Sequence, residues 1–341
     1  MSGKNQKVIV SRCDMGNPAS GLEIASQDQP EASSIPPNHV LCEMTMRPVN
    51  PADIFSIMGV YPGFDCTVEN PVPGLEGVAK VIHSSSGLFT ANTRVIGMPW
   101  TGVESGNGTW QKYAIAHEDD LLDVSGISDE EAAVFYVNPV TVFGMLADAN
   151  IPAGETLLQT AAGSVLGRMM IQLCKHKGIK TINVVRRQEQ AQELLDLGAD
   201  HVIVSNEDGS NIAEKVMELT GGKGAYAAIE CVGGEIFKAC VSSVRPFGTV
   251  FIYGAMSGLE MTVSIPDPLF RGVTIKGWWL AHYMKNKSSE EKKAIGKELL
   301  DLMQQGLLKP FIGKKFPLDQ VKEAIAEATK DARGGKVLLT N

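Results

Sequence analysis

The stretch QTAAGSVLGRMMIQ, residues 159–172, has small residues where a backbone would have to approach a phosphate. A glycine-rich dinucleotide fingerprint asks for Gly at three fixed places; here they read Ala162, Ser164 and Gly167, so only the last is met. The physical requirement survives the substitutions. A phosphate needs backbone N–H groups at a helix N-terminus and side chains that leave the approach open. Ala161, Ala162, Gly163 and Ser164 are small, Val165 and Leu166 open the next helix, and the Ser164 hydroxyl is a potential phosphate donor. Gly167 falls where helix and strand pack closely. A tight strand-to-helix turn without a ligand uses the same letters, so this loop alone decides nothing.

The following strand adds a selectivity signal. A site for NAD carries an acid about 20 residues past the loop to hold the ribose 2′-hydroxyl. Here the strand ends INVVRRQ, with Arg186 and Arg187 and no acid. Two guanidiniums suit a 2′-phosphate. As a plain solvated helix start they would oppose the helix dipole. The expected cofactor is therefore NADPH rather than NADH.

Elements that could position such a loop are legible around it. From Glu155 the chain alternates short apolar strands (ETLLQT, KTINVV, DHVIV, AYAAIEC, GTVFIYG) with helices that stop at Gly178 or Gly198. This rhythm predicts α/β architecture, a Rossmann-type doubly wound parallel sheet over residues 128–284. Before it, KVIVSR, HVLCEMTMRPV, GVAKVIHSS, TRVIGMP and WQKYAIAH are β-rich runs set off by Gly, Pro, Asn and Ser, as in a compact barrel-like unit. Ser128 and three acids open a helix that Asn138-Pro139 is expected to interrupt. The tail from residue 285 leaves the βα rhythm and is expected to return to the first domain, giving one domain of residues 1–127 with 285–341.

Composition narrows the function classes. The 341 residues suit two domains, and a net charge of −8 without a Lys/Arg block argues against nucleic acid. No apolar run reaches membrane-span length. Cys13, Cys42, Cys66, Cys174, Cys231 and Cys240 are scattered and read as buried thiols of a reducing compartment. The N-terminus lacks a signal-peptide core, so a cytoplasmic protein is expected; a bacterial protein, or a trimmed organellar one such as a mitochondrial matrix protein, would look the same.

Several segments together resemble the medium-chain dehydrogenase/reductase superfamily: VNPADIFSIMGVYP, VPGLEGVAKVI, VNPVTVFGML, the loop above, TINVVRR, IYGAMS and KGWWL. The resemblance is greatest to zinc-free trans-2-enoyl-CoA reductases, with quinone oxidoreductases sharing part of the pattern. It implies a GroES-like, mostly β catalytic domain beside the Rossmann domain, and a homodimer paired through sheet edges. Zinc-containing relatives carry Gly-His-Glu where this chain reads Gly74-Leu75-Glu76, and His83, His117, His176, His201 and His282 stand singly. No metal is expected.

Without a metal, hydride addition to the β-carbon of an enoyl thioester leaves enolate character that needs a hydrogen-bond donor and a proton. Tyr61, in the loop MGVYPGF, matches the family's proposed proton donor. The resemblance also implies nicotinamide contacts from Asn138 and from the backbone of Tyr253, Gly254, Ala255 and Met256. Trp278, Trp279 and Leu280 would lie beside the cofactor, and Lys336 would reach its phosphates. Gly163 departs from a family Asn or similar polar residue. Lys285 and Lys287 suggest a cationic rim, against the plainer reading of a solvated helix start. The reading is an NADPH-dependent reductase of 2-enoyl thioesters, small-molecule substrates with no nucleic-acid or membrane partner. The alternatives are a quinone or activated-alkene reductase and a non-catalytic NADPH-binding protein.

Overall fold

The computed structural model describes residues 3–258, 260–330 and 334–341. The chain forms two compact units, Met1–Val137 with Lys287–Asn341, and Asn138–Asn286.

The first unit is mostly β. Strands β1 (Lys4–Val10) and β2 (Leu22–Asp28) form an antiparallel pair. β3 (His39–Pro48) is followed by helix α1 (Pro51–Ile57), β4 (Val78–Ser84), β5 (Arg94–Gly97), β6 (Tyr113–His117), β7 (Leu121–Asp123) and helix α2 (Asp129–Ala133). The β-rich runs read from the sequence are β1, β3, β4, β5 and β6. β2 and β7 are less legible: one is largely exposed and the other very short.

α2 extends the first unit ten residues past the boundary expected from sequence. Arg94 explains this. Its guanidinium donates to Asp129 Oδ1 at 2.7 Å, to the Val124 carbonyl at 3.2 Å and to the Ile127 carbonyl. Ser128 and Glu131 close a capping box on α2. The helical stretch then breaks at Val134–Tyr136, not at Asn138-Pro139 as expected. Pro139 lies in the first turn of α3 (Val137–Ala149), where its missing N–H would have had no intrahelical partner.

The second unit carries β8 (Thr156–Gln159), α4 (Val165–His176), β9 (Lys180–Val185), α5 (Glu189–Leu197), β10 (His201–Val204), α6 (Ile212–Leu219), β11 (Ala225–Glu230), α7 (Gly234–Ser243), β12 (Val244–Ile252), α8 (Pro266–Phe270), β13 (Thr274–Gly277) and α9 (Leu280–Lys285). Among the described residues the strand order is β10-β9-β8-β11-β12-β13, and every pairing is parallel. Renumbered within the unit, this is 3-2-1-4-5-6, the doubly wound dinucleotide-binding order expected from the βα rhythm. β9 and β11 are almost continuously buried, as strands covered on both faces must be. Leu158, Ile182, Val184, Ala228, Phe237 and Val250 share this core.

The tail adds α10 (Ser289–Gln304), β14 (Ile312–Pro317), α11 (Val321–Ala328) and β15 (Lys336–Thr340). β15 pairs antiparallel with β3, so the last strand completes the first unit's seven-stranded sheet. Its Val337 and Leu339 join a core with Val8, Leu22, Ile57 and Trp110.

One cysteine expectation is corrected. Cys13 and Cys66 form a disulfide pair, with Cα atoms 6.1 Å apart, whereas Cys42, Cys174, Cys231 and Cys240 are buried free thiols. The pair forms because both loops pack over the C-terminal end of α1, where each sulfur lies against the Ser56 carbonyl.

Candidate active site and cofactor site

In the second unit, the loop after β8 is built around backbone donors. Ala161 takes a left-handed conformation, φ 48°, which turns the chain from strand to helix. Ser164 caps α4 by accepting the Gly167 N–H at 3.0 Å, so its oxygen serves the helix first. The Arg168 N–H goes to the Ser164 carbonyl. Of the four first-turn donors, those of Val165 and Leu166 are left for a ligand. A Cβ on Gly167 would lie 2.6 Å from the Ala162 carbonyl oxygen, which accounts for the one fingerprint glycine that is retained. Arg168 steadies the loop, donating to the Gly163 carbonyl at 3.1 Å and to Glu193 of α5 at 2.8 Å.

Arg186 and Arg187 directly follow β9, Arg186 exposed and Arg187 half-exposed. The loops after β11 and β12 are laced together. Tyr253 N–H donates to the Glu230 carbonyl and Met256 N–H to the Cys231 carbonyl, leaving those of Gly254 and Ala255 as the donors a ligand could use. A Cβ on Gly254 would fall 2.8 Å from Cys231 Cβ. Sequence reasoning passed over Glu230. It is fully buried and accepts from the Val232 N–H at 2.6 Å, the Gly233 N–H at 3.1 Å and the Thr160 hydroxyl at 3.2 Å. Burial raises its pKa. It fixes the loops after β8 and β11 to each other, at the point where the strand order reverses. The signal was an acid closing an apolar strand just before Gly233-Gly234.

Asn138 is 6% exposed, and its Nδ2 is buried without a hydrogen-bond partner. A buried donor left unmatched is unfavourable by about 1–3 kcal/mol unless a ligand takes it. A nicotinamide carboxamide would supply the missing acceptor. The residues therefore fit a dinucleotide on three counts: free helix-end donors, a cationic pair past the second strand, and one orphaned amide.

The tryptophans divide. Trp278 is buried, donates to Asp148 at 3.0 Å and packs on α3 so tightly that a Cβ on Gly144 would lie 2.6 Å from its ring. It is a buried residue whose polar atom is satisfied by Asp148. Trp279 is half-exposed, with its ring edge-on to His282, and Leu280 opens α9 beside it. Lys285 is exposed at the end of α9, and Lys287 pairs with Glu291.

In the first unit, Tyr61 lies in the irregular segment after α1, half-buried. A buried polar network anchors that helix. Asn50 N–H donates to Asp53 Oδ2 at 2.7 Å, and Leu75 N–H donates to Asp53 Oδ1 at 3.0 Å. Asn50 Nδ2 reaches Glu76 Oε1 at 2.9 Å, and Lys336 Nζ reaches Asn50 Oδ1 at 2.6 Å. Lys336, expected from the resemblance at the cofactor phosphates, is buried, with its ammonium beside the two buried carboxylates of Asp53 and Glu76. Burial pushes the Asp53 carboxyl up to about 7, and it raises Glu76 as well.

Glu76 does a second job. Its Oε2 accepts the N–H groups of Tyr136 at 2.9 Å and Val137 at 2.8 Å, capping the start of α3 from sixty residues away in sequence. The acid of Gly74-Leu75-Glu76 is therefore a helix anchor, and Leu75 offers no donor atom to a metal. Among the described residues, no three His, Cys, Asp or Glu side chains converge.

Tyr136, also missed from sequence, is 6% exposed. Burial first, then the neighbouring Tyr61, Glu76 and Asp120, hold its hydroxyl in the neutral form. Tyr61 and Tyr136 are therefore within electrostatic reach of each other.

The parallel sheet with its reversal point, the donor-lined loops and the β-rich companion unit define a nucleotide-dependent oxidoreductase class. Residues 165–298 match the family model described as zinc-binding dehydrogenase. The mitochondrial enoyl-[acyl-carrier-protein] reductase of Caenorhabditis elegans is 32% identical over 306 residues, 86% of this chain and 83% of that protein. The human enzyme of the same name is 30% identical over 336 residues, 95% of this chain and 86% of its own. The chain belongs to the medium-chain dehydrogenase/reductase family.

Solved structures share the fold. A complex of Etr1p with NADP and crotonyl-CoA has a TM-score of 0.85 at 24% identity, covering 99% of this chain and all of that one. A quinone oxidoreductase from Pseudomonas syringae has a TM-score of 0.83 at 25% identity, with 99% and 100% coverage.

Proposed function

We propose that this chain is an NADPH-dependent reductase of the C2–C3 double bond of 2-enoyl thioesters. The carrying observation is its likeness, over most of its length, to enoyl-[acyl-carrier-protein] reductases, together with the dinucleotide donors of its second unit. NADPH, when bound, supplies the hydride. The Val165, Leu166, Gly254 and Ala255 N–H groups, the Asn138 amide and the Arg186–Arg187 pair are the residues that would hold it. Ser164 and Gly167 shape the loop.

The chain's own chemistry at the substrate is a hydroxyl. As hydride reaches the β-carbon, negative charge grows on the thioester oxygen and the α-carbon. Tyr61 donates a hydrogen bond to that charge and then a proton to the α-carbon. The Glu76–Asn50–Asp53–Lys336 network holds α1 and the turn at Leu75, fixing the segment that carries Tyr61. Leu75 in place of a metal-ligating side chain fits a site in which a protein hydroxyl does this work.

A quinone reductase is the second reading, favoured by the Pseudomonas syringae structure. NADPH oxidation with crotonyl-CoA beside a quinone separates the two: faster turnover of the thioester supports the first. The proposal includes a homodimer paired through β13, the edge strand of the parallel sheet. It also includes the mitochondrial location that the names of the curated relatives carry.

A further inference from the structure

We propose that Gln190 is a third ligand for the phosphorylated ribose of NADPH, its side-chain amide reaching over the phosphate loop through the space left by Gly163. The inference rests on the reading of Arg186 and Arg187 as the 2′-phosphate site.

Residue 163 is a glycine without a conformational need for one. The left-handed position in this loop belongs to Ala161, and Gly163 is not among the residues of positive φ. Backbone conformation therefore does not require glycine there. What occupies the space a side chain would enter is the Gln190 amide, the end of a flexible side chain: a Cβ on residue 163 would displace its Nε2 and lie 3.1 Å from its Cδ. The space of the missing side chain holds an amide delivered from the next helix.

That amide is held but unused. Gln190 lies in the first turn of α5, just past the arginine pair, and its backbone N–H donates to the Arg187 carbonyl at 3.2 Å. Arg168 ties the Gly163 carbonyl to Glu193 of the same helix, so loop and helix keep their spacing. The side chain is half-buried and makes no hydrogen bond among the described residues. An amide offers two N–H donors. Held against Gly163 of the loop and carried on the turn that follows the arginine pair, those donors suit phosphate oxygens on the ribose, whereas a ribose without its phosphate gives them less to hold.

Calorimetric titration of the full chain with 2′,5′-ADP and with 5′-AMP tests this without turnover. The wild type is expected to prefer 2′,5′-ADP. Gln190→Ala is expected to weaken 2′,5′-ADP by about tenfold, the loss of one hydrogen bond to a charged group, and to leave 5′-AMP unchanged. Gly163→Ala, whose methyl takes the place of the amide, is expected to give the same loss and to add nothing to Gln190→Ala. Wild-type affinity for 2′,5′-ADP in Gln190→Ala would overturn the inference while leaving the arginine reading intact. A wild type that binds both ligands alike would overturn the arginine reading and this inference with it.

Discussion

Asp53 shows how a single buried residue sets a measurable property. Its carboxyl is pushed up to about 7 from an ordinary 3.8, chiefly by burial. The folded state therefore holds that proton more tightly than the unfolded chain does. Its contribution to stability is present at low pH and is lost as pH rises from about 4 to about 7. Melting temperatures of wild type and Asp53→Asn across that range test this: the wild type should lose stability relative to the variant as pH rises, and parallel curves would contradict it. Nothing in the sequence announced this group. Tyr61, Arg186 and Arg187 stand out in the sequence as candidates because their chemistry is intrinsic to the residue type. Asp53, Glu76, Glu230 and Tyr136 matter because they are buried, and burial is a property of the fold. The burial of Lys336 and Trp278 is a property of the fold in the same way, and their residue types alone leave a ligand contact and a packed core side chain equally open.

At the scale of elements, the parallel sheet was legible and the junctions were not. Apolar strands and glycine-stopped helices follow local rules, so β8 to β12 and α4 to α7 fall where the sequence suggested. The break before α3 follows no local rule, since its capping carboxylate comes from Glu76. The Cys13–Cys66 pair is likewise nonlocal, and it ties the N-terminal segment to the loop that carries Tyr61. In denaturant without reductant, four of the six cysteines should react with a thiol reagent, and all six after reduction. Six reactive thiols without reductant would contradict the pairing. Cys13→Ser with Cys66→Ser should lower stability by about 2–4 kcal/mol.

For the whole molecule, the question is what covers the open edge of the parallel sheet. β13 is its last strand, and Phe247, Leu269 and Phe270 near it are 83%, 64% and 80% exposed. A Cβ on Gly272 would meet the Phe247 ring at 2.7 Å, so the ring and the turn before β13 form one surface. An unpaired edge beside exposed aromatics is a template for a second strand and an apolar contact. Light scattering should give the mass of two chains for wild type and of one for Phe270→Glu; a monomeric wild type would contradict the dimer.

In the proposed reaction a tyrosine hydroxyl supplies the proton to an enoyl thioester. NADPH oxidation with crotonyl-CoA by wild type and Tyr61→Phe tests it most directly. Wild type should turn over crotonyl-CoA, and Tyr61→Phe should bind NADPH normally but lose roughly 10²-fold in kcat. A Tyr61→Phe enzyme that reduces crotonyl-CoA at the wild-type rate would contradict it.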